Sequence, residues 1–531
     1  MWSVDPLANK GTAYTVEERG RLRLDGLLPP RVELLEEQVE RVLRAVRTAS
    51  SPLDQYRVLS AVQNENETLF YRTIVDHLSE LLPIVYTPTV GQACLQWSRI
   101  FERPRGMYLS AFHHRGRVVD VLRHWRRERV ELIVITDGGR ILGLGDLGVD
   151  GMGIPIGKLA LYTACAGVPP DACLPIALDV GTDNRTLQRD PFYLGERTGR
   201  LRGVDYDAFL DEVVAAIQLV FPRAVVQFED FSNTAAFALL DRYRERLCCF
   251  NDDVQGTGAM ALGGLYAAMR LTNSRLADQR ILFVGAGEAC LGIGALVVAE
   301  MQREGISEQD AKARCLFRDS KGLVIRARSD LSPRKRAFAQ DRDDVATLAM
   351  TVDAFKPTVM IGATGQSALF TQPIVEAMTR FNPHPIVFAL SNPTTKAECT
   401  AAQAYEWSEG RAVFASGSPF EPVTCHGQRH VPGQANNSHV FPGVGLGLLV
   451  SRARGVTDGM FFAAARALAS HVTDTDLEVG RIFPATAQMR EVAVSVAASV
   501  AAVVYDEGVA DGPRPADLEA AVRAFMYDPS Y

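Results

Sequence analysis

The residues most able to do chemistry begin with two acidic pairs, each beside an apolar run. Glu229-Asp230 closes the run Ala224-Val225-Val226-Gln227-Phe228, and Asp252-Asp253 lies in Phe250-Asn251-Asp252-Asp253-Val254-Gln255-Gly256-Thr257-Gly258, just before a helical stretch. Carboxylates delivered by strand ends suit a hard divalent cation, Mg²⁺ or Mn²⁺, which takes oxygen ligands and leaves room for a substrate. No Cys/His cluster points to zinc. The competing reading is helix capping, for which Asn251 and Asp252 are well suited.

Candidate proton carriers come next. The chain has 56 basic residues, of which only seven are Lys. Arg is effectively never deprotonated, whereas Lys can be, so a surviving Lys raises a question. Lys158 stands in Gly151-Met152-Gly153-Ile154-Pro155-Ile156-Gly157-Lys158-Leu159, at a Gly/Pro-rich helix start among apolar residues. Burial and a helix N-terminus would both lower its pKa and make it a general base; the alternative is a Lys snorkelling at a helix edge. Tyr86, in Val85-Tyr86-Thr87-Pro88, could donate a proton or simply be packed. Arg140 follows Thr136-Asp137-Gly138-Gly139 and could clamp a carboxylate in bidentate fashion. Asn392, and Asn436-Asn437 before Phe441-Pro442-Gly443, could orient a substrate or serve as turn residues.

The third element is Gly285-Ala286-Gly287-Glu288-Ala289-Cys290, which follows the apolar strand Ile281–Val284 and opens a helix. In that context a GxG turn lets backbone approach a pyrophosphate, whose charge the helix N-terminus favours. Asp319, at the end of the next strand, is the candidate ribose-binding acid. A bare Asp argues for NAD; Ser320, Lys321 and Lys335 nearby argue for the 2′-phosphate of NADP.

These residues need a scaffold of strands with helices between them. Apolar runs at 130–135, 174–180 and 224–228 alternate with helical stretches at 156–166 and 206–220. Further strands are expected at 281–284, 314–317, 358–361, 386–390 and 412–415, with helices over 259–271 and 288–302. The fold class is α/β with largely parallel sheets. The expected domains are a helical N-terminal region over 1–84, a substrate domain over 85–250 and a Rossmann-type dinucleotide-binding domain over 251–435. Residues 436–531 are expected to return to the substrate domain and end in a C-terminal tail. A formal charge of −7 argues against a protein that coats nucleic acid or an anionic membrane. Nine scattered cysteines without a CxxC pair suit a reducing cytoplasm. Residues 1–20 lack the apolar core of a signal peptide, and the apolar stretch 492–505 reads as a buried helix too short to span a bilayer.

Taken in order, Val85–Gly91, the block 136–148, Gly153–Leu159, Gln227–Phe231, Phe250–Thr257, the GxG at 285, Ser391-Asn392-Pro393-Thr394 and Gln434-Ala435-Asn436-Asn437 make the chain resemble the malic enzyme family over about residues 20–510. The resemblance implies oxidative decarboxylation of L-malate to pyruvate and CO₂ with reduction of NAD(P)⁺, NADP⁺ favoured, and a divalent metal. By that resemblance Lys158 is the base and Tyr86 the acid; Glu229, Asp230 and Asp253 are the metal ligands, with Asp252 behind them. Arg140, Asn392 and Asn437 bind the malate carboxylates. Gly285, Ala286, Gly287, Glu288, Ala289, Asp319, Ser320, Lys321, Lys335 and Asn392 line the dinucleotide. The chain departs from some relatives at Cys290 and Gly258. A homodimer or homotetramer is implied. The rival readings are a malolactic-type decarboxylation of malate to lactate, a regulatory protein on an inactive enzyme fold, and a glutamate-dehydrogenase-like oxidoreductase.

Overall fold

The computed structural model describes residues 5–127, 129–141, 143–232 and 235–531. Of the stretches named above, residues 1–4 and Leu142 lie outside the described residues. Contacts divide the chain into two units, residues 1–231 with 520–531, and residues 232–519.

The first unit opens with amphipathic helices. In Leu35–Thr48, Val39, Val42, Leu43 and Val46 recur at helical spacing and are buried. A parallel sheet follows, with strands β1 (Met107–Ser110), β2 (Leu132–Thr136), β3 (Cys173–Asp179) and β4 (Val225–Phe228) hydrogen-bonded in the order β1-β3-β2-β4. β2, β3 and β4 are buried at every position, which is why they read as unbroken apolar runs. β1, four residues at the end of that order, carries too short a pattern to stand out. The connecting helices are Gly153–Ala166 and Val204–Val220. The first begins three residues earlier than its apolar run suggests, because Pro155 is tolerated in an opening turn whose N–H groups need no intrahelical partner.

The second unit opens with the helix Ala236–Tyr243, followed by the short strand β5 (Cys249–Asn251) and a π-helical turn, Asp252–Gly256, that runs into the helix Thr257–Thr272. Its main sheet contains β6 (Ile281–Val284), β7 (Cys315–Asp319), β8 (Gly322–Leu323), β9 (Val359–Gly362), β10 (Ile386–Ala389) and β11 (Val413–Ser416). A hairpin, β12 (Val423–Cys425) and β13 (Gln428–His430), precedes β14 (Gly433–Gln434), which rejoins the sheet. The order is β14-β11-β10-β9-β6-β7-β8, parallel except for the β7/β8 pair. β6 lies between β7 and β9, so the chain steps to opposite sides of it and leaves a crevice at the strand ends.

The return of the chain to the first unit is confined to residues 520–531; residues 436–519 belong to the second. Helices Phe441–Val450 and Asp458–Ser470 pack on Met489–Asp506, and Asp458–Ser470 also packs on Thr257–Thr272. Met489–Asp506 contains the apolar stretch 492–505 and buries Val492, Val496, Val500 and Val504. It is the one described helix long and apolar enough to cross a membrane by length and composition. All nine cysteines are free thiols.

The two departures from the family pattern are absorbed by packing. Cys290 is wholly buried, with Sγ 3.4 Å from where a Cβ on Gly285 would stand. Gly258 faces the helix Glu288–Arg303, where a Cβ would meet Leu296 at 2.4 Å. Gly292 on that helix meets the carbonyl oxygen of Val254 in the same way, at 2.5 Å. Gly292→Ala should therefore cost about 1–3 kcal/mol of stability, read as a lowered midpoint of denaturant unfolding.

Candidate active site

In the first unit the acidic pair lies where β4 ends. Glu229 donates its backbone N–H to the Ile135 carbonyl at 2.9 Å and so extends the ladder by one residue. Asp230 then adopts a left-handed φ of +53°, and its carbonyl accepts the N–H of Arg140 at 3.1 Å. A non-glycine residue held there costs about 1–3 kcal/mol, a strain that clusters at functional positions. Both residues are buried.

Lys158 comes from the helix Gly153–Ala166, every residue of which is buried. Its side chain is 2% exposed, so this Lys does not snorkel. Nζ lies 3.0 Å from Glu229 Oε1 and 5.5 Å from the centroid of the Tyr86 ring. The helix can approach Tyr86 because Gly157 has no side chain; a Cβ there would stand 3.1 Å from the Val85 carbonyl and 3.6 Å from Tyr86 Cδ2. Glu229 Oε2 accepts Gln227 Nε2 at 2.8 Å, and Gln227 Oε1 accepts the Tyr162 hydroxyl at 2.5 Å. Tyr162 is four residues beyond Lys158 on the same helix. One helical face thus presents the ammonium and, through Gln227, holds its carboxylate partner.

Arg140 is exposed, and its loop is held by a buried ion-pair network. Arg200 donates to Asp137 Oδ2 at 3.0 Å, to the Asp137 carbonyl at 2.6 Å and to Asp146 Oδ2 at 2.9 Å. Tyr206 adds a hydrogen bond to Asp137 Oδ2 at 2.8 Å. Gly138 makes the turn possible, since at φ +61° a Cβ would lie 1.9 Å from the Gly148 carbonyl oxygen.

In the second unit Asn251 caps the turn, its side chain accepting the Val254 N–H at 3.1 Å. Asp252 does not cap; its carboxylate accepts Asn437 Nδ2 at 3.0 Å, and Asn437 also donates to Thr257 Oγ1 at 2.9 Å. Gly256 leaves space for that carboxylate, since a Cβ there would fall 1.8 Å from Asp252 Oδ1. Asp253 is buried on the same turn. Asn436 is a turn residue, accepting the Ser438 N–H at 2.9 Å. Asn392 Oδ1 accepts the Ser418 hydroxyl at 2.7 Å, which leaves its amide NH₂ as the donor side for a ligand.

The glycine turn has the form a dinucleotide needs. Gly285 sits at φ +114° after β6, and Gly287 is the N-cap of the helix that starts at Glu288. A Cβ on Gly287 would meet nothing within 4 Å, so this backbone is open to a ligand. Ala286 and Glu288 are buried and Ala289 is half-buried. Asp319, at the end of β7, accepts Arg328 through both oxygens at 2.8 and 3.1 Å and Lys335 Nζ at 2.7 Å. Burial pushes its carboxyl up, and these hydrogen bonds overcome that and hold it at about 2. Ser320 and Lys321 are exposed, with Lys321 paired to Asp330 at 2.9 Å.

Gln227, Tyr162, Arg200, Tyr206 and Arg328 escaped the sequence reading. Gln227 did carry a signal, as the polar residue inside an apolar strand. The arginines had none among so many others.

Residues 254–505 match the family Malic enzyme, NAD binding domain, and residues 63–244 match Malic enzyme, N-terminal domain. The chain is similar to the NADP-dependent malic enzyme of Columba livia, at 47% identity over 99% of this chain and 95% of that protein. It is equally similar to the NADP-dependent malic enzyme of Homo sapiens, at 47% identity over 99% and 92%. Its fold is shared with the crystal structure of Entamoeba histolytica malic enzyme, at a TM-score of 0.60 and 21% identity over 95% of this chain and 90% of that one.

Asp150 lies between the Arg140 loop and the Lys158 helix, and burial pushes its carboxyl up to about 6 although Ser98 hydrogen-bonds to it. A group whose pKa is higher folded than unfolded loses its stabilising contribution as pH rises through the folded value. Asp150→Asn should gain on the wild type between pH 4 and pH 8 by about 2–3 kcal/mol. Denaturant unfolding at the two pH values measures the gap.

Proposed function

The chain belongs to the malic enzyme family, and from that premise we propose that it oxidises and decarboxylates L-malate to pyruvate and CO₂, with NADP⁺ as hydride acceptor and Mg²⁺ or Mn²⁺ as the required cation. The observation that carries this reading is the buried Lys158 ammonium 3.0 Å from the Glu229 carboxylate, beside Tyr86. A proton acceptor, a hard oxygen donor and a phenol in one dry place are what the reaction asks of the protein.

The residues fit the groups they would hold. Glu229 and Asp230 are buried consecutive carboxylates, hard donors with no thiol or imidazole beside them in sequence. With Asp253 they would hold the cation, and Asp252, tied to Asn437, would brace the turn that carries Asp253. The open backbone at Gly287 and the basic pair on Asp319 fit a dinucleotide. A dinucleotide held there would supply the hydride acceptor, and a cation held by these carboxylates would supply Lewis acidity.

The chain's own residues do the rest. Arg140 and the amide NH₂ of Asn392 would grip the malate carboxylates and fix C2 relative to the base, while the amide hydrogens of Asn437 stay with Asp252 and Thr257. Lys158, as the neutral amine, receives the C2 hydroxyl proton as the carbonyl forms and becomes the ammonium. After CO₂ leaves, Tyr86 protonates C3 of the enol to complete pyruvate. Lys335 favours NADP⁺ over NAD⁺, because a compact ammonium at the end of β7 meets the 2′-phosphate. We place the enzyme in the cytoplasm, in keeping with its free thiols, as a homodimer or homotetramer.

Lys158→Arg keeps the charge and removes the titratable proton site. Initial rates of malate-dependent NADP⁺ reduction should fall about 100- to 10,000-fold, and near-full turnover would remove Lys158 as the base. Chelation of divalent cations should abolish the wild-type rate, with Mg²⁺ or Mn²⁺ restoring it. Lys335→Met should weaken NADP⁺ by roughly ten- to a hundredfold while leaving NAD⁺ nearly unchanged; equal losses for both would place Lys335 away from the 2′-phosphate.

A further inference from the structure

Glu398 is a carboxylate with 0% exposure in the second unit, and none of the roles above uses it. Its Oε1 accepts the Thr364 N–H and hydroxyl, both at 3.0 Å, and the Ser391 hydroxyl. Its Oε2 accepts the Ser391 N–H at 3.3 Å. The Ser391 hydroxyl oxygen in turn accepts the Gly365 N–H at 2.8 Å. Every one of these partners donates, which is how an ionised carboxylate is satisfied. No cation pairs with Glu398 among the described residues. Gly362 allows the approach, because a Cβ there would stand 2.7 Å from Glu398 Cγ.

The position of this charge matters. Residues 363–365 and Ser391–Asn392 follow the C-terminal ends of β9 and β10. The glycine turn follows β6 and Asp319 ends β7, on the opposite side of β6 from β9. A dinucleotide with its pyrophosphate at the turn and its adenosine ribose at Asp319 lies across the crevice, and its nicotinamide half reaches the ends of β9 and β10. The oxidised nicotinamide ring is cationic, and the reduced ring is neutral. A fixed buried anion beside that end discriminates between them, and the low local dielectric lets it act over a distance that water would screen.

We propose that Glu398 is a positioning residue that holds the β9 and β10 loops together and whose fixed negative charge makes the site prefer the oxidised dinucleotide to the reduced one. This rests on the reading of the second unit as the NADP site. It predicts easy release of the reduced product, a property distinct from the choice between NAD and NADP.

The test is calorimetric titration of the full-length protein with NADP⁺ and with NADPH, comparing wild type, Glu398→Gln and Ser391→Ala. Glu398→Gln removes the charge at nearly constant shape. It should weaken NADP⁺ relative to NADPH by roughly tenfold. Ser391→Ala loosens the loops and keeps the charge, so its two affinities should change together. An unaltered ratio in Glu398→Gln would overturn the proposal. A ratio shifted in Ser391→Ala as far as in Glu398→Gln would also overturn it, by tracing the preference to loop geometry. If Glu398→Gln fails to fold, Ser391→Ala decides: a constant ratio supports the charge, and a shifted one refutes it. A wild type that binds neither dinucleotide would refute the reading of the second unit itself, and this proposal with it.

Discussion

The first unit depends on a single awkward requirement, that an ammonium and a carboxylate be kept out of water side by side. Lys158 and Glu229 are 1% and 3% exposed. Either charge alone at that depth would cost several kcal/mol or more, so each steadies the other. This explains much of the surrounding architecture. The helix Gly153–Ala166 is buried along its whole length, which is how it carries Lys158 into the core. The sheet is parallel, so that β4 ends where the helix begins, and Asp230 accepts a strained backbone conformation to continue the chain from that point. The Gln227–Tyr162 relay fixes the second oxygen of Glu229, leaving the first to face the ammonium.

The second unit solves the same problem by other means. Its acidic side chains are satisfied by partners of different kinds. Asp319 is held by two cations, Arg328 and Lys335, at the edge of the crevice. Asp252 is held by a neutral amide, Asn437, and the N-cap work that it might have done falls to Asn251. Glu398 is held by the neutral donors of Thr364 and Ser391, whereas the cations on Asp319 spread its charge over salt bridges. The choice of partner thus sets what each acid can offer chemically, independently of where the strand has placed it.

Much of this was legible before any coordinates. Buried parallel strands are apolar throughout, so β2, β3, β4 and β6 stand out as runs, and the residues just after them are where open α/β sheets work. Glu229 stands out in that way, Lys158 as one of few lysines at a Gly/Pro-rich helix start and Tyr86 in the run before Pro88, and the fold brings the three together. The relay to Tyr162 was not legible, because Gln227 shows only as a polar residue in an apolar strand and nothing near it in the chain marks a partner 65 residues away. Arg200 was invisible for another reason. In a chain that takes Arg almost wherever a positive charge is needed, a structural Arg has no distinguishing neighbourhood. The destination of residues 436–519 was also hidden, since helices such as Phe441–Val450 are buried on every face and carry no directional stripe.

The central claim is that hydride leaves C2 of malate for a dinucleotide that is released reduced, and that the carbon skeleton ends as pyruvate. Malate carrying deuterium at C2, incubated with the enzyme, NADP⁺ and Mg²⁺, tests it directly. Mass spectrometry should find one deuterium in each reduced dinucleotide formed, and pyruvate in equal amount. Lactate accumulating without net dinucleotide reduction would contradict the account and identify the malolactic-type reaction instead.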